Sequence, residues 1–172
     1  MMTATALNNT PSGRQPRGNA GPGAAARAAE LQAANINPKT GLATDYLNHF
    51  NEAIMLLELI PDVPDCAEEF LGWQPRSYRE HFTASHFKAR DLAISAYNSA
   101  DPTVREEFDQ LTNTMTSILT AVCAAMREAQ QDSTRAVLAE QATNWVKPLV
   151  ALAGGIINGR GCEPDVDYIM NQ

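Results

Sequence analysis

The chain has 172 residues, with 20 Asp and Glu against 13 Lys and Arg for a formal net charge of −7. That length fits one domain with a real apolar core, and the acidic balance argues against a general nucleic-acid binder held through phosphate contacts. No apolar run reaches the roughly 18 residues of a membrane span, residues 1–20 lack the continuous apolar stretch of a secretory leader, and the expectation is a soluble cytoplasmic protein. Three cysteines, Cys66, Cys123 and Cys162, are an odd number with no close pair, which supports neither a disulfide framework nor a zinc knuckle.

Residues 1–23 are rich in Thr, Asn, Pro, Gly and Ala and contain no aromatic side chain. Such a segment buries too little apolar surface to offset its ordering entropy, so a disordered arm is expected. Ala24 to Ala34 is rich in helix formers but short and weakly apolar, which predicts nascent helix and extends the arm to residue 35. The arm carries Arg14, Arg17, Arg27 and Glu30, opposite in sign to the acidic remainder. Order is expected from Ile36, first as a turn at Asn37-Pro38-Lys39-Thr40-Gly41. From Thr44 to Ile60 the residues Tyr46, Phe50, Ala53, Leu57 and Ile60 recur at helical spacing, and Pro61 and Pro64 end the helix.

Asp65-Cys66-Ala67-Glu68 has the pattern of a capping box, Ser77-Tyr78-Arg79-Glu80 repeats it, and Gln74-Pro75 forces an extended step between them. Two or three short helices are therefore predicted over 65–100. Asp101-Pro102 supplies an N-cap and a proline at the first helical position. Val104, Phe108, Leu111, Met115, Ile118, Val122, Ala125 and Ala129 then alternate four and three, predicting a helix to Gln130 about 43 Å long. Leu138, Ala142, Trp145, Leu149, Leu152 and Ile156 keep that rhythm, Gln131-Asp132-Ser133 serves as the turn, and Pro148 is expected to kink the second arm. The prediction is an all-α fold over 36–158, a four- or five-helix bundle with a long C-terminal antiparallel helical hairpin. Residues 159–172 are read as a tail, anchored only by Tyr168, Ile169 and Met170.

No glycine-rich phosphate loop, nucleophile elbow, zinc-protease or calcium-loop motif occurs, so no cofactor is implied and the common enzyme readings lack support. Two groups of residues remain. Asp45, His49 and Glu52 share a helix face, and with His81 and His86 they are candidate metal ligands, although the Glu-x-x-His order of ferritin-like bundles is reversed. The bland alternative has these histidines at a core rim and at helix ends. Trp73, Arg76, Tyr78, Arg79 and Phe82 have the composition of a binding hot spot or of a core corner, with the two arginines suited to an acidic group.

The stretches Gly41 to Glu52 and Ser77 to Phe82 resemble small uncharacterised helical proteins of bacteria. The resemblance implies a bacterial cytoplasmic setting and attaches no activity, cofactor or functional residue. The expected function is a non-catalytic protein-interaction or regulatory protein of the adaptor type, and the alternative is a metal- or small-ligand-binding bundle. Its expected partner is another protein, including a second copy paired through the heptad seam.

Overall fold

The turn at Asn37 shows how local chemistry starts the ordered chain. Asn37 Oδ1 accepts the Lys39 and Thr40 N–H groups at 2.8 and 3.3 Å, and the Gly41 N–H bonds to the Asn37 carbonyl at 2.8 Å. Gly41 sits at φ +73°, where a Cβ would come 2.8 Å from the Ala96 carbonyl oxygen, so both backbone and space demand glycine. The loop is tied to the far end of the chain by the Thr40 hydroxyl, which donates to the Ile157 carbonyl at 2.7 Å.

The computed structural model describes residues 21–160. Residues 1–20 of the arm expected over 1–35, and residues 161–172 of the tail expected over 159–172, Cys162 among them, lie outside the described residues. Among the described residues there are seven α-helices and no β-strand: α1 Pro22–Ala33, α2 Leu47–Leu59, α3 Cys66–Leu71, α4 Tyr78–Ala84, α5 Arg90–Asn98, α6 Pro102–Glu128 and α7 Asp132–Ile157. A 3₁₀ turn, Thr44–Tyr46, leads into α2. The count exceeds four or five because 65–100 divides into three short helices and 22–33 forms one more. Helix α1 is more than nascent: its Leu31 is buried and joins Ile36 in the core, which supplies the tertiary support that an isolated short helix lacks.

Helices α6 and α7 form the antiparallel hairpin, and α2 lies along α7. Leu47 of α2 packs beside Gly154 of α7, its Cδ1 at ordinary van der Waals distance from where a Cβ would stand. Helix α7 runs unbroken through Pro148. The short helices α3, α4 and α5 close the other side, and Phe50, Leu57, Phe70, Phe82, Phe108, Met115, Leu119 and Met126 fill the centre.

Two caps form as the sequence predicts. Ser77 accepts the Glu80 N–H while the Glu80 carboxylate accepts the Ser77 N–H at 2.8 Å, a complete capping box. Asp101 accepts the Thr103 and Val104 N–H groups. The third does not form. Asp65 already has helical φ and ψ, so its side chain caps nothing, and backbone bonds from Cys66, Ala67 and Glu68 to the three preceding carbonyls close the turn instead.

The hairpin stripe is also rotated from its expected position. Helix α6 buries Phe108, Thr112, Met115, Leu119, Val122, Cys123 and Met126, while Val104, Leu111 and Ile118 are half-buried and Ala125 is exposed. Helix α7 buries Ala139, Ala142, Val146, Ala153, Ile156 and Ile157, leaving Leu138 and Leu149 half-buried and Trp145 and Leu152 exposed. The cause is geometric. Each helix carries two adjacent apolar faces, and on α7 the small side chains Ala139, Ala142 and Ala153 lie on the buried side while bulkier Leu138, Leu149, Trp145 and Leu152 stand partly or largely in solvent.

Candidate interaction surface

The polar corner is built where α2, α4 and the extended step 72–77 meet. Trp73 donates its indole N–H to the His49 carbonyl at 3.1 Å and stacks on the His49 ring at 4.7 Å. His49 Nε2 accepts the Arg76 backbone N–H at 3.2 Å, which fixes that nitrogen as unprotonated. Burial, reinforced by His81 and Arg76, pushes the imidazole down to about 4, so it is neutral at physiological pH. The Tyr46 hydroxyl donates to the Arg76 carbonyl at 2.7 Å, and the Tyr78 hydroxyl accepts the Ala43 N–H at 3.0 Å. Burial raises the pKa of both phenols. Both backbone groups of Arg76, in the middle of the extended step, are therefore satisfied by side chains of the core, as part-buried polar groups require.

Of the five candidate metal ligands, the fold brings together Asp45, His49 and His81. His81 Nε2 lies 3.0 Å from Asp45 Oδ2, and the His49 and His81 ring centroids are 6.0 Å apart. Glu52 is exposed on α2, and His86 is exposed beyond α4 on a concavity of about 750 Å³ beside the end of α1. Among the described residues no three His, Cys, Asp or Glu side chains are placed to hold a metal ion. His49 spends its Nε2 lone pair on the Arg76 backbone, leaving an Asp45–His81 pair in place of a ligand set.

The candidate hot spot divides in the same way. Trp73, Tyr78 and Phe82 are buried, so these aromatics form the core corner and are not a docking face. Tyr78 stacks on Tyr97 at 4.4 Å, and Tyr97 in turn donates its hydroxyl to Asp109 of α6. Arg76 and Arg79 remain exposed on a shallow concavity shared with Glu80, whose carboxylate cancels part of their charge.

The heptad seam, which the sequence left open between an intramolecular hairpin and a pairing of two copies, in part lines a groove between α6 and α7. The groove, of about 410 Å³, is lined from α6 by Ser117, Ile118, Ala121, Val122 and Ala125, and from α7 by Leu138, Gln141 and Trp145. None of these is charged. Trp145 is 56% exposed, and Val137 and Leu152 are further exposed apolar side chains of α7. Trp145 has one polar atom, and the groove offers it mostly methyl and methylene groups, the composition of an anchor for a hydrophobic partner. The sequence signal was present, since Ile118, Ala125, Leu138, Trp145 and Leu152 all belong to the predicted heptads. Periodicity marked them as apolar without telling which of two faces meets solvent.

Compared with protein-family models, with curated proteins and with solved structures, the chain matches none. No described helix is long and apolar enough to cross a membrane.

Proposed function

We propose that this is a non-catalytic interaction protein of the adaptor or regulatory type, and that its docking face is the groove between α6 and α7. The observation that carries the reading is Trp145, more than half exposed beside an uncharged channel between two long helices. Scattered apolar side chains are ordinary on a surface, but a half-exposed tryptophan at the edge of an uncharged groove has the composition of a binding anchor. The partner this chemistry fits is a protein presenting an apolar helix, laid into the groove with side chains at three- and four-residue spacing. A second copy of the chain offering its own α6–α7 hairpin is one form of such a partner. The bacterial cytoplasmic setting rests on the resemblance of residues 41–52 and 77–82.

Site-specific photo-crosslinking in the native host tests this directly. A photoreactive residue at Gln141, on the groove, should yield a discrete protein adduct. The same residue at Thr114, exposed on α6 and outside the groove lining, should not. Equal adducts from both positions, or none from Gln141, would overturn the assignment.

A further inference from the structure

We propose that the occupant of the α6–α7 groove is a second copy of this chain, packed hairpin on hairpin about a two-fold axis that runs along the groove. The proposal rests on the groove being the docking face and names the partner that fills it. Charge and shape carry it.

Charge decides which surfaces can pair with themselves. A two-fold contact sets a patch against its own image, so a charged patch meets its own sign. In a chain of net charge −7, self-association therefore needs a face without carboxylates. The hairpin supplies one. Residues 110–126 of α6 hold no charged side chain, and residues 141–159 hold only Lys147. Lys147 pairs with Glu58 of α2 and, two residues from Trp145, projects from the other side of α7. The residues that line the groove are all uncharged, so two copies meet there without opposing like charges, and a partner selected by charge finds nothing to pair with.

Shape makes the face complementary to itself. The α6 wall offers the short side chains Ser117, Ala121 and Ala125, spaced by four along one side of the helix, and the α7 wall offers Leu138 and Trp145, spaced by seven. One copy thus carries both a projection, the half-exposed indole, and a recess to receive one. An axis along the groove, parallel to both helices, exchanges the two walls and keeps every residue at its own height. Helix α7 of each copy then lies over α6 of the other, and each Trp145 packs against Ser117 and Ala121 of the other copy in a four-helix bundle. The polar lining residues have a use in that arrangement. A buried indole N–H needs an acceptor, and the Ser117 hydroxyl and the Gln141 amide oxygen are the side-chain acceptors the groove provides.

Sedimentation velocity of the full chain over a range of concentrations tests this, with tryptophan emission recorded alongside. The wild type should be a dimer that dissociates on dilution, and its emission should move to longer wavelength as Trp145 meets water. In Trp145→Phe the remaining indole, buried Trp73, should show no such shift. Ala121→Glu puts a carboxylate at an exposed position where the other copy's indole is to sit, so it should be monomeric throughout while keeping the melting temperature of dilute wild type. A wild-type chain that is monomeric at every concentration would overturn the proposal. So would a dimer that persists unchanged in folded Ala121→Glu, because another surface would then hold it. The photo-crosslink from Gln141 separates the two claims. An adduct of the chain with itself supports both. An adduct with a different protein, from a chain that sediments as a monomer, leaves the docking face standing and removes the second copy as its occupant, whereas no adduct removes the docking face and this proposal with it.

Discussion

Acidification should destabilise this fold through one side chain, His49. Its ring is 4% exposed, stacked on Trp73, and accepts the Arg76 backbone N–H, so protonation would replace an acceptor with a donor and place a charge among His81 and Arg76. Asp45 is the acidic group of the same corner, and it is already engaged by His81. The folded pKa lies near 4 against 6.5 for the free side chain. In that interval the unfolded chain binds the proton and the folded chain does not, so stability falls as pH drops from 6.5 toward 4 and is fully present above 6.5. Two to three pKa units correspond to about 3 kcal/mol, a large part of the 5–15 kcal/mol of a typical domain. Urea unfolding at pH 7 and near pH 4 measures the loss. The control is His49→Gln, whose amide oxygen can accept the same N–H but does not titrate. Its pH dependence should be smaller than wild type by about 2 to 3 kcal/mol. Parallel losses in both proteins, or an NMR titration of the His49 ring near 6.5, would refute the argument.

Other expectations concern packing and backbone. Met115→Ala should cost about 2–5 kcal/mol because its side chain is fully buried, whereas half-buried Ile118→Ala should cost roughly 1 kcal/mol and exposed Thr114→Ala less than about 0.5, all read from denaturation midpoints. Gly41→Ala should cost at least about 2 kcal/mol, since it combines positive φ with a collision at the Ala96 carbonyl. Replacing Arg76 and Arg79 together by alanine should leave the melting temperature nearly unchanged, because Arg76 serves the corner through its backbone and both side chains are exposed. Unfolding of that variant would show the guanidinium groups to be structural.

The elements with local causes were legible in the sequence. Asn37 through Gly41, the Ser77–Glu80 box and the Asp101-Pro102 start each depend on chemistry within a few residues, and each formed. Asp65 failed although its spacing to Glu68 was right, because the backbone after Pro64 was already helical and left the carboxylate no cap to make. The phase of the hairpin depended on tertiary packing. Thr112 and Cys123 are buried on α6 while Ala125 is exposed, an arrangement that a hydrophobic count along one helix does not reveal. His49 and Trp73 are 24 residues apart and meet only because the chain reverses between α2 and α4. For the same reason the aromatic segment 73–82, suggestive of a docking face by composition, closes the core, and the surface tryptophan is Trp145.

The central claim is that the α6–α7 groove binds a partner. Its most direct test is the affinity of the protein crosslinked from Gln141, once purified, for the wild-type chain and for Ile118→Glu and Leu138→Glu, measured by calorimetry alongside each variant's melting temperature. A buried carboxylate facing an apolar partner is costly to desolvate, so each folded variant should bind at least about tenfold more weakly. An unchanged Kd in folded variants would contradict the account.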